Sequence, residues 1–382
     1  MKSGVTHRGL WLGVTATLIF ALYWLDLNRG GPASMLSRCN LLLSKEAAAP
    51  SDVLIVGSSR TGVALDPVAI QNMLKNAPEV TEPGVERIAL GHNPLRLNHA
   101  LLENYLTQRG APRALVLEIT FMTQRSVDRL AQRRKAIAPE HYLFRRDLNL
   151  MTFAQILQMP AVAMPYTEDE STLNLWRFRL RGVVLRAGAL VYEFLRKPGE
   201  SWQADSCERT DWIREPEWPD DFAFSYGDFE TEATPGQAID IIETAMAETA
   251  VERSLKDWQQ PAGQSRTYPY DFDQPYRAGE VALLTSMLEL AARYNVPVIL
   301  LPLPLYGFEI DTEQLQAFAR HAPGTSQVFD LYGQVNADLS KFWYDDGHLE
   351  LRPAAALTSA LLTEHLLDSG LLSAAQPGET RD

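Results

Sequence analysis

The chain has 382 residues, 46% hydrophobic and 22% charged, with a formal net charge of −13. That is ample for a large core, as one elaborated domain or as two small ones. The acidic balance argues against a nucleic-acid partner, and the two cysteines and seven histidines show no metal-type spacing, so no metal or other cofactor is expected.

Residues 9–25, GLWLGVTATLIFALYWL, are seventeen residues without a charge, preceded by Lys2, His7 and Arg8. At about 1.5 Å per residue such a run just spans the hydrocarbon core of a bilayer, with Tyr23 and Trp24 at the interface. Positive charge ahead of it predicts a single-pass protein of the inner (cytoplasmic) membrane, with a cytosolic N-terminus and an exported, periplasmic body. A cleavable signal peptide is the rival reading. The bulky Trp24-Leu25-Asp26-Leu27 offers no small-x-small site directly after the run, although the 30–34 stretch could be cut; a signal anchor over residues 1–29 is therefore preferred. Cys39 follows Arg38, which excludes a lipoprotein site. Cys39 and Cys207 can pair in an oxidising compartment, and two isolated thiols is the alternative.

Residues 30–51 read as a tether, and the body from 52 to 370 then alternates strands and helices, with a polar tail at 371–382. Val53 to Val56 is a continuous apolar strand of the buried parallel kind. Asp66-Pro67 opens a helix through Leu74. Glu86 to Leu90 is a strand, Leu95 to Gln108 a helix and Ala114 to Ile119 a third strand. About residues 126–275 the rhythm is interrupted by an insertion. Within it, 130–146 is rich in arginine, and 174–196 mixes arginines with leucine, valine and aromatics. The preferred reading of these is an ordinary amphipathic helix with solvated arginines; contact with lipid headgroups is the alternative. Residues 200–237 are acidic and aperiodic and carry Trp202, Trp212, Trp218, Phe222, Phe224, Tyr226 and Phe229, which suit either sugar stacking or covering a core. Tyr276 to Tyr294 is a helix, Val296 to Leu301 and Gln327 to Leu331 are strands, and Arg352 to Leu367 is a closing helix. This order predicts an α/β fold with a doubly wound, mostly parallel sheet.

Two short segments carry chemistry. Gly57-Ser58-Ser59 ends the first strand, which places a hydroxyl at the carboxyl edge of a parallel sheet, where open α/β folds bind ligands. Gly57 would permit a tight turn, and the following helix would aim backbone N–H groups at an anion. A phosphate-binding or purely structural turn is the plain alternative. Asp345-Asp346-Gly347-His348 precedes the last helix. The acid three residues before His348 can accept from imidazole Nδ1–H, leaving Nε2 to take a serine proton; Asp346 is the less favoured orienter. A surface loop with a helix cap would look the same. The other histidines are less suited: His99, His321 and His365 read as surface positions on helices. Nucleophile, base and orienting carboxylate in one chain are the parts of a serine acyl-transfer site.

In these two segments the chain resembles the SGNH (GDSL-like) hydrolase superfamily, especially its membrane-anchored bacterial branch that handles O-acyl groups of cell-wall polymers and exopolysaccharides. Gly57-Ser58-Ser59 matches the family's Gly-Asp-Ser block, with Ser58 in place of the aspartate and Ser59 at the nucleophile position. The Gly-Ser-Ser form also occurs in the branch that transfers D-alanine. Gly91 best matches the second-block glycine, and Asp345 and His348 match the closing DxxH. The third-block asparagine has no clear counterpart: Glu118, Thr120 and Thr123 follow there, and Asn93 is the substitute. The resemblance covers roughly residues 50–125 and 290–370. It implies an SGNH-like three-layer fold and a catalytic set of Ser59, His348 and Asp345. The oxyanion hole would be formed by Ser59 and Gly91 with Asn93. The substrate would be O-acyl, foremost O-acetyl, groups of a cell-surface or secreted polysaccharide. It also implies a polytopic membrane-bound O-acyltransferase as donor partner. Two further readings are a non-catalytic glycan-binding or scaffold component of a polysaccharide secretion complex, and a periplasmic binding protein whose Ser58 and Ser59 hold an anion.

Overall fold

The computed structural model describes residues 50–77, 83–90, 95–119, 153–158, 172–196, 234–248, 266–268, 272, 278–303, 308–335 and 353–372. The chain divides into two compact units, one of residues 48–123 and 211–382 and the other of residues 1–47 and 124–210. The expected anchor, the tether to residue 49, Cys39, Cys207, the arginine-rich 130–146 stretch and the 202–229 aromatics lie outside the described residues. Among the described residues no helix is long and apolar enough to cross a membrane.

In the larger unit, β1 (Val53–Ser58) leads directly into the short helix α1 (Ser59–Ala64) and then α2 (Pro67–Lys75). β2 (Val85–Leu90), α3 (Leu95–Gln108) and β3 (Ala114–Ile119) follow. The smaller unit contributes α4 (Phe153–Gln158) and α5 (Thr172–Arg196). The larger unit then resumes with α6 (Pro235–Glu248), β4 (Arg266–Tyr268), α7 (Ala278–Arg293) and β5 (Val298–Pro302). It closes with β6 (Phe308–Ile310), α8 (Thr312–His321), β7 (Ser326–Val328), a 3-10 turn at Tyr332–Gln334 and α9 (Pro353–Asp368). The main sheet is parallel with order β2-β1-β3-β5-β7, and β4 and β6 pair as a separate parallel ribbon.

Strands β1, β3 and β5 are apolar at nearly every position because the sheet is buried on both faces. Val53, Ile55, Ala114, Val116, Ile299 and Leu301 share one core with α2, α6 and α9. The alternate residues Leu54, Val56, Leu115, Leu117 and Leu300 are equally buried and point to the opposite face by the two-residue strand period. There α3 meets β1 and packs on α7. Helices thus cover both faces of a parallel sheet, as the strand–helix alternation predicted. Each fully buried leucine or isoleucine in these layers contributes about 1.5–3 kcal/mol.

Two helices of the larger unit were not legible as such. α6 lies inside the 126–275 interruption yet belongs to the main core, where Ala238, Ile242 and Met246 are buried at four-residue spacing beside α9. Its start is a capping box: Gln237 N donates to Thr234 Oγ1 at 3.4 Å and Thr234 N donates to Gln237 Oε1 at 3.0 Å. α8 is capped by Asp311, whose Oδ1 accepts from Gln314 N at 3.2 Å, and it buries only Leu315 and Ala319. α9 ties the C-terminal part of the chain to the region just after β1. Thr358 Oγ1 donates to the carbonyl of Ala64, and Asp66 N donates to Ser359 Oγ at 2.8 Å.

His99 and His365 are part of this packing instead of free surface positions. His99 Nε2 and Ser286 Oγ, 2.9 Å apart, join α3 to α7. The ring of His365 stacks on Phe329 with centroids 4.1 Å apart. Burial holds both imidazoles below their ordinary 6.5, with Glu103 and Asp368 respectively opposing the shift and Arg293 reinforcing it for His99. Each therefore binds its proton less well folded than unfolded. The stability they support is present above the unfolded value and is lost as pH falls through it toward the lower folded value. Urea unfolding should accordingly show stability dropping below about pH 6.5, with a shallower acid slope in His365→Asn and in His99→Asn than in the parent.

Candidate functional site

The order β2-β1-β3-β5-β7 reverses direction between β1 and β3, because the chain leaves β1 to one side for β2 and crosses to the other for β3. In open α/β sheets the crevice at such a switch point, outside the carboxyl ends of the strands, is where ligands bind. Ser58 ends β1 and Ser59 opens α1, so the serine pair stands at that edge.

The local architecture is built on one acidic side chain. Glu118 lies near the carboxyl end of β3, only 3% exposed. It falls on the same face as Val116, and extending the register Val56↔Leu117 by one residue sets it beside Gly57. Its Oε2 accepts from Ser58 N at 2.6 Å, from Thr61 N at 3.3 Å and from Thr61 Oγ1, while its Oε1 accepts from Ser58 Oγ at 2.6 Å. Ser58 is also the N-cap of α1, with Oγ accepting from Arg60 N at 3.1 Å. Three amides that a helix start leaves without intrahelical partners are therefore satisfied internally, and a negative group sits at the positive end of the helix. Bonds to a charged, buried acceptor are the stronger kind, about 1.5–3 kcal/mol each.

Gly57 is required here for room and not for turn conformation. It lies within β1, and the positive-φ glycines among the described residues are Gly110, Gly324 and Gly370. A Cβ on Gly57 would stand 2.1 Å from Thr61 Oγ1 and 2.5 Å from Glu118 Oε2. The missing side chain is what lets the carboxylate lie across the end of β1. Two further polar groups hold the same turn. Asn98 of α3, 1% exposed, donates from Nδ2 to the carbonyl of Gly57 at 3.3 Å. Arg60 donates from a guanidinium nitrogen to the carbonyl of Leu303, just past β5, at 2.9 Å. Nearby Tyr332 has its phenol pushed well up by burial, with Arg60 opposing and Glu118 reinforcing that shift.

Of the sequence-predicted site residues, Ser59 is placed by its backbone as the first residue of α1. Asp345, His348, Gly91 and Asn93 lie outside the described residues. Glu118, Thr61, Asn98 and Arg60 carry parts that sequence reasoning had not assigned. The signal for Glu118 was available: one charge inside the otherwise apolar run Ala114-Leu115-Val116-Leu117-Glu118-Ile119 of a strand buried on both faces. Among the described residues no cluster of histidine, cysteine, aspartate and glutamate suits a metal ion. No protein-family model matches the chain and no curated protein matches its sequence.

Substitutions at Glu118 should separate shape from hydrogen bonding. Glu118→Leu strands two amides and two hydroxyls in the interior and should cost about 3 kcal/mol or more. Glu118→Gln keeps one acceptor oxygen and should cost about 1 kcal/mol. Gly57→Ala should cost about 1–3 kcal/mol by overpacking. Urea midpoints of the three variants beside the parent check the order.

Proposed function

We propose that this chain is an SGNH-type serine acyltransferase or esterase, anchored by its N-terminal apolar run in the inner membrane with its catalytic body on the periplasmic side. Its substrates are O-acyl, foremost O-acetyl, groups of a cell-surface or secreted polysaccharide. The observation that carries the reading is the pre-set turn at the switch point: Ser59 begins α1 on a backbone locked by the Glu118 carboxylate through Ser58 and Thr61.

That turn favours catalysis over anion binding. The amides of Ser58, Arg60 and Thr61 are already bonded within the protein, so the helix start is not an open cradle for phosphate. The Ser59 amide, which the resemblance assigns to the oxyanion hole, is not among those three. Where the family's first block has an aspartate, Ser58 stands here, and a carboxylate reaches its hydroxyl from β3 instead. The reach of the C-terminal segment also supports the reading. His348 precedes Pro353 by about five residues, a tether of up to roughly 17 Å. α9 is itself bonded to the end of α1 and to Asp66.

In the proposed mechanism Ser59 Oγ attacks the ester carbonyl and His348 Nε2 takes its proton, while Asp345 orients the ring and stabilises the imidazolium. Backbone N–H groups of Ser59 and Gly91, with Asn93, hold the tetrahedral oxyanion; losing one such donor typically costs ~10²–10³ in rate. The leaving group, the sugar oxygen in hydrolysis or that of the acyl donor in transfer, departs with the proton from His348. The acyl-Ser59 ester then passes to water or to an acceptor hydroxyl, with His348 again acting as base. Transfer is favoured over hydrolysis because the anchor keeps the site beside a membrane-borne donor, a polytopic O-acyltransferase in this reading.

The decisive measurement is intact mass of the full-length chain in detergent micelles after exposure to a fluorophosphonate. One adduct per chain is expected, absent in Ser59→Ala and in His348→Ala. It should be retained in Ser58→Ala, which keeps the Ser58 amide on Glu118 Oε2 but loses the cap and the hydroxyl bond to Oε1, at a cost of about 2–4 kcal/mol of stability. A folded parent that gains no mass would overturn the catalytic reading in favour of a binding component.

A further inference from the structure

The helix α5 is inside out for a water-soluble surface. It exposes four large apolar side chains: Leu173 is 60% exposed, Trp176 47%, Leu180 56% and Val184 70%. They recur at i, i+3, i+7 and i+11, which places all four on one stripe of the helix. The buried side of the same helix carries Gly182 and a fully buried arginine, Arg186. By contrast, α2 and α6 each expose a single large apolar side chain among their described residues, Val68 and Ile241. Single exposed apolar groups are ordinary on a protein surface, whereas an aligned run of four marks a contact surface.

The charges say what the stripe meets. In a chain of net charge −13, the segment 172–196 carries five arginines and one glutamate. Arg177 and Arg181 are exposed and follow Trp176 and Leu180 by one position, so they border the stripe on one side. The guanidinium of Arg179 lies over the Trp176 ring, 5.4 Å from its centroid. Apolar anchors with a tryptophan, edged by guanidinium groups, match the interface between acyl chains and anionic headgroups, where arginine stems lie along apolar surface and their heads reach phosphate. α5 is not apolar enough to cross a bilayer, so it would lie along one. The compact unit that contains α5 also includes residues 1–47, and with them the uncharged run at 9–25.

We infer that the Leu173-Trp176-Leu180-Val184 face of α5 rests in the headgroup layer of an anionic membrane, with Arg177 and Arg181 on lipid phosphates. This contact is independent of the serine chemistry. It gives the smaller unit a second attachment, which restricts its orientation relative to the bilayer more than a single span can.

The test uses the full-length chain, with Cys39→Ser and Cys207→Ser, reconstituted in phosphatidylcholine vesicles with or without phosphatidylglycerol. Nitroxide labels are placed singly at Leu180→Cys, Val184→Cys and, for comparison, Val68→Cys. In phosphatidylglycerol vesicles the labels at 180 and 184 should collide with oxygen in preference to a water-soluble nickel chelate, and the label at 68 should do the reverse. Each arginine near an anionic surface is worth about fivefold in partitioning, so Arg177→Ala with Arg181→Ala should lower the equilibrium constant for lipid contact by about twenty-five-fold. Labels at 180 and 184 as open to the chelate as the label at 68 would overturn the inference. So would shielding from both reagents, which would identify a protein-covered face.

Discussion

A buried carboxylate must be met by donors, and here that requirement organises the edge of the sheet. Glu118 has few ways to be satisfied at the end of a strand covered on both faces. It recruits the amide and hydroxyl of Ser58 and those of Thr61. Those bonds fix where β1 stops and where α1 starts. They also account for Gly57, since any side chain at that position would occupy the space of the carboxylate and of Thr61. The pairing joins β1 to β3 across the point at which the strand order reverses, so the constraint falls where the fold offers a crevice.

The rest of the larger unit holds that edge from several directions. Asn98 reaches it from α3, and Arg60 extends from it to the end of β5. α9 adds a long-range tie, because Thr358 and Ser359 bond to Ala64 and Asp66, almost three hundred residues earlier. A site assembled from distant parts of a chain depends on such ties. Holding reacting groups in place contributes to rate only when their supporting shell is itself rigid. The same tie holds α9 against the end of α1 and the residues just after it.

The smaller unit follows a different rule. In the larger unit α2 and α6 turn their apolar side chains into the core, whereas α5 buries Arg186 and displays leucine, tryptophan and valine bordered by arginine. Composition alone cannot separate these cases. The arginines and apolar residues of 174–196 are compatible with an ordinary amphipathic helix, and only the side of the helix that is covered distinguishes a solvated arginine face from an apolar one bordered by guanidinium groups. A bilayer-facing helix would make the membrane part of the working environment of the smaller unit.

Much of the architecture was legible in the sequence because its strands are buried on both faces. Continuous apolar runs such as Val53–Val56 and Ala114–Ile119, alternating with helices begun by Asp66-Pro67 and Pro353, define a parallel α/β sheet through local pattern alone. The position of the serine pair where the first strand gives way to a helix was legible for the same reason. α6 and α8 were less so, since α6 sits beyond an aperiodic acidic stretch and α8 buries only two residues. What the sequence determined by itself was therefore the kind of sheet and the presence of a serine at its carboxyl edge, both of which follow from short-range periodicity. What tertiary structure decided was the strand order, the role of Glu118, the reason for Gly57 and the outward face of α5. Each depends on which residues meet from separate elements of the chain, or on which side of a helix is covered, and no local pattern encodes that.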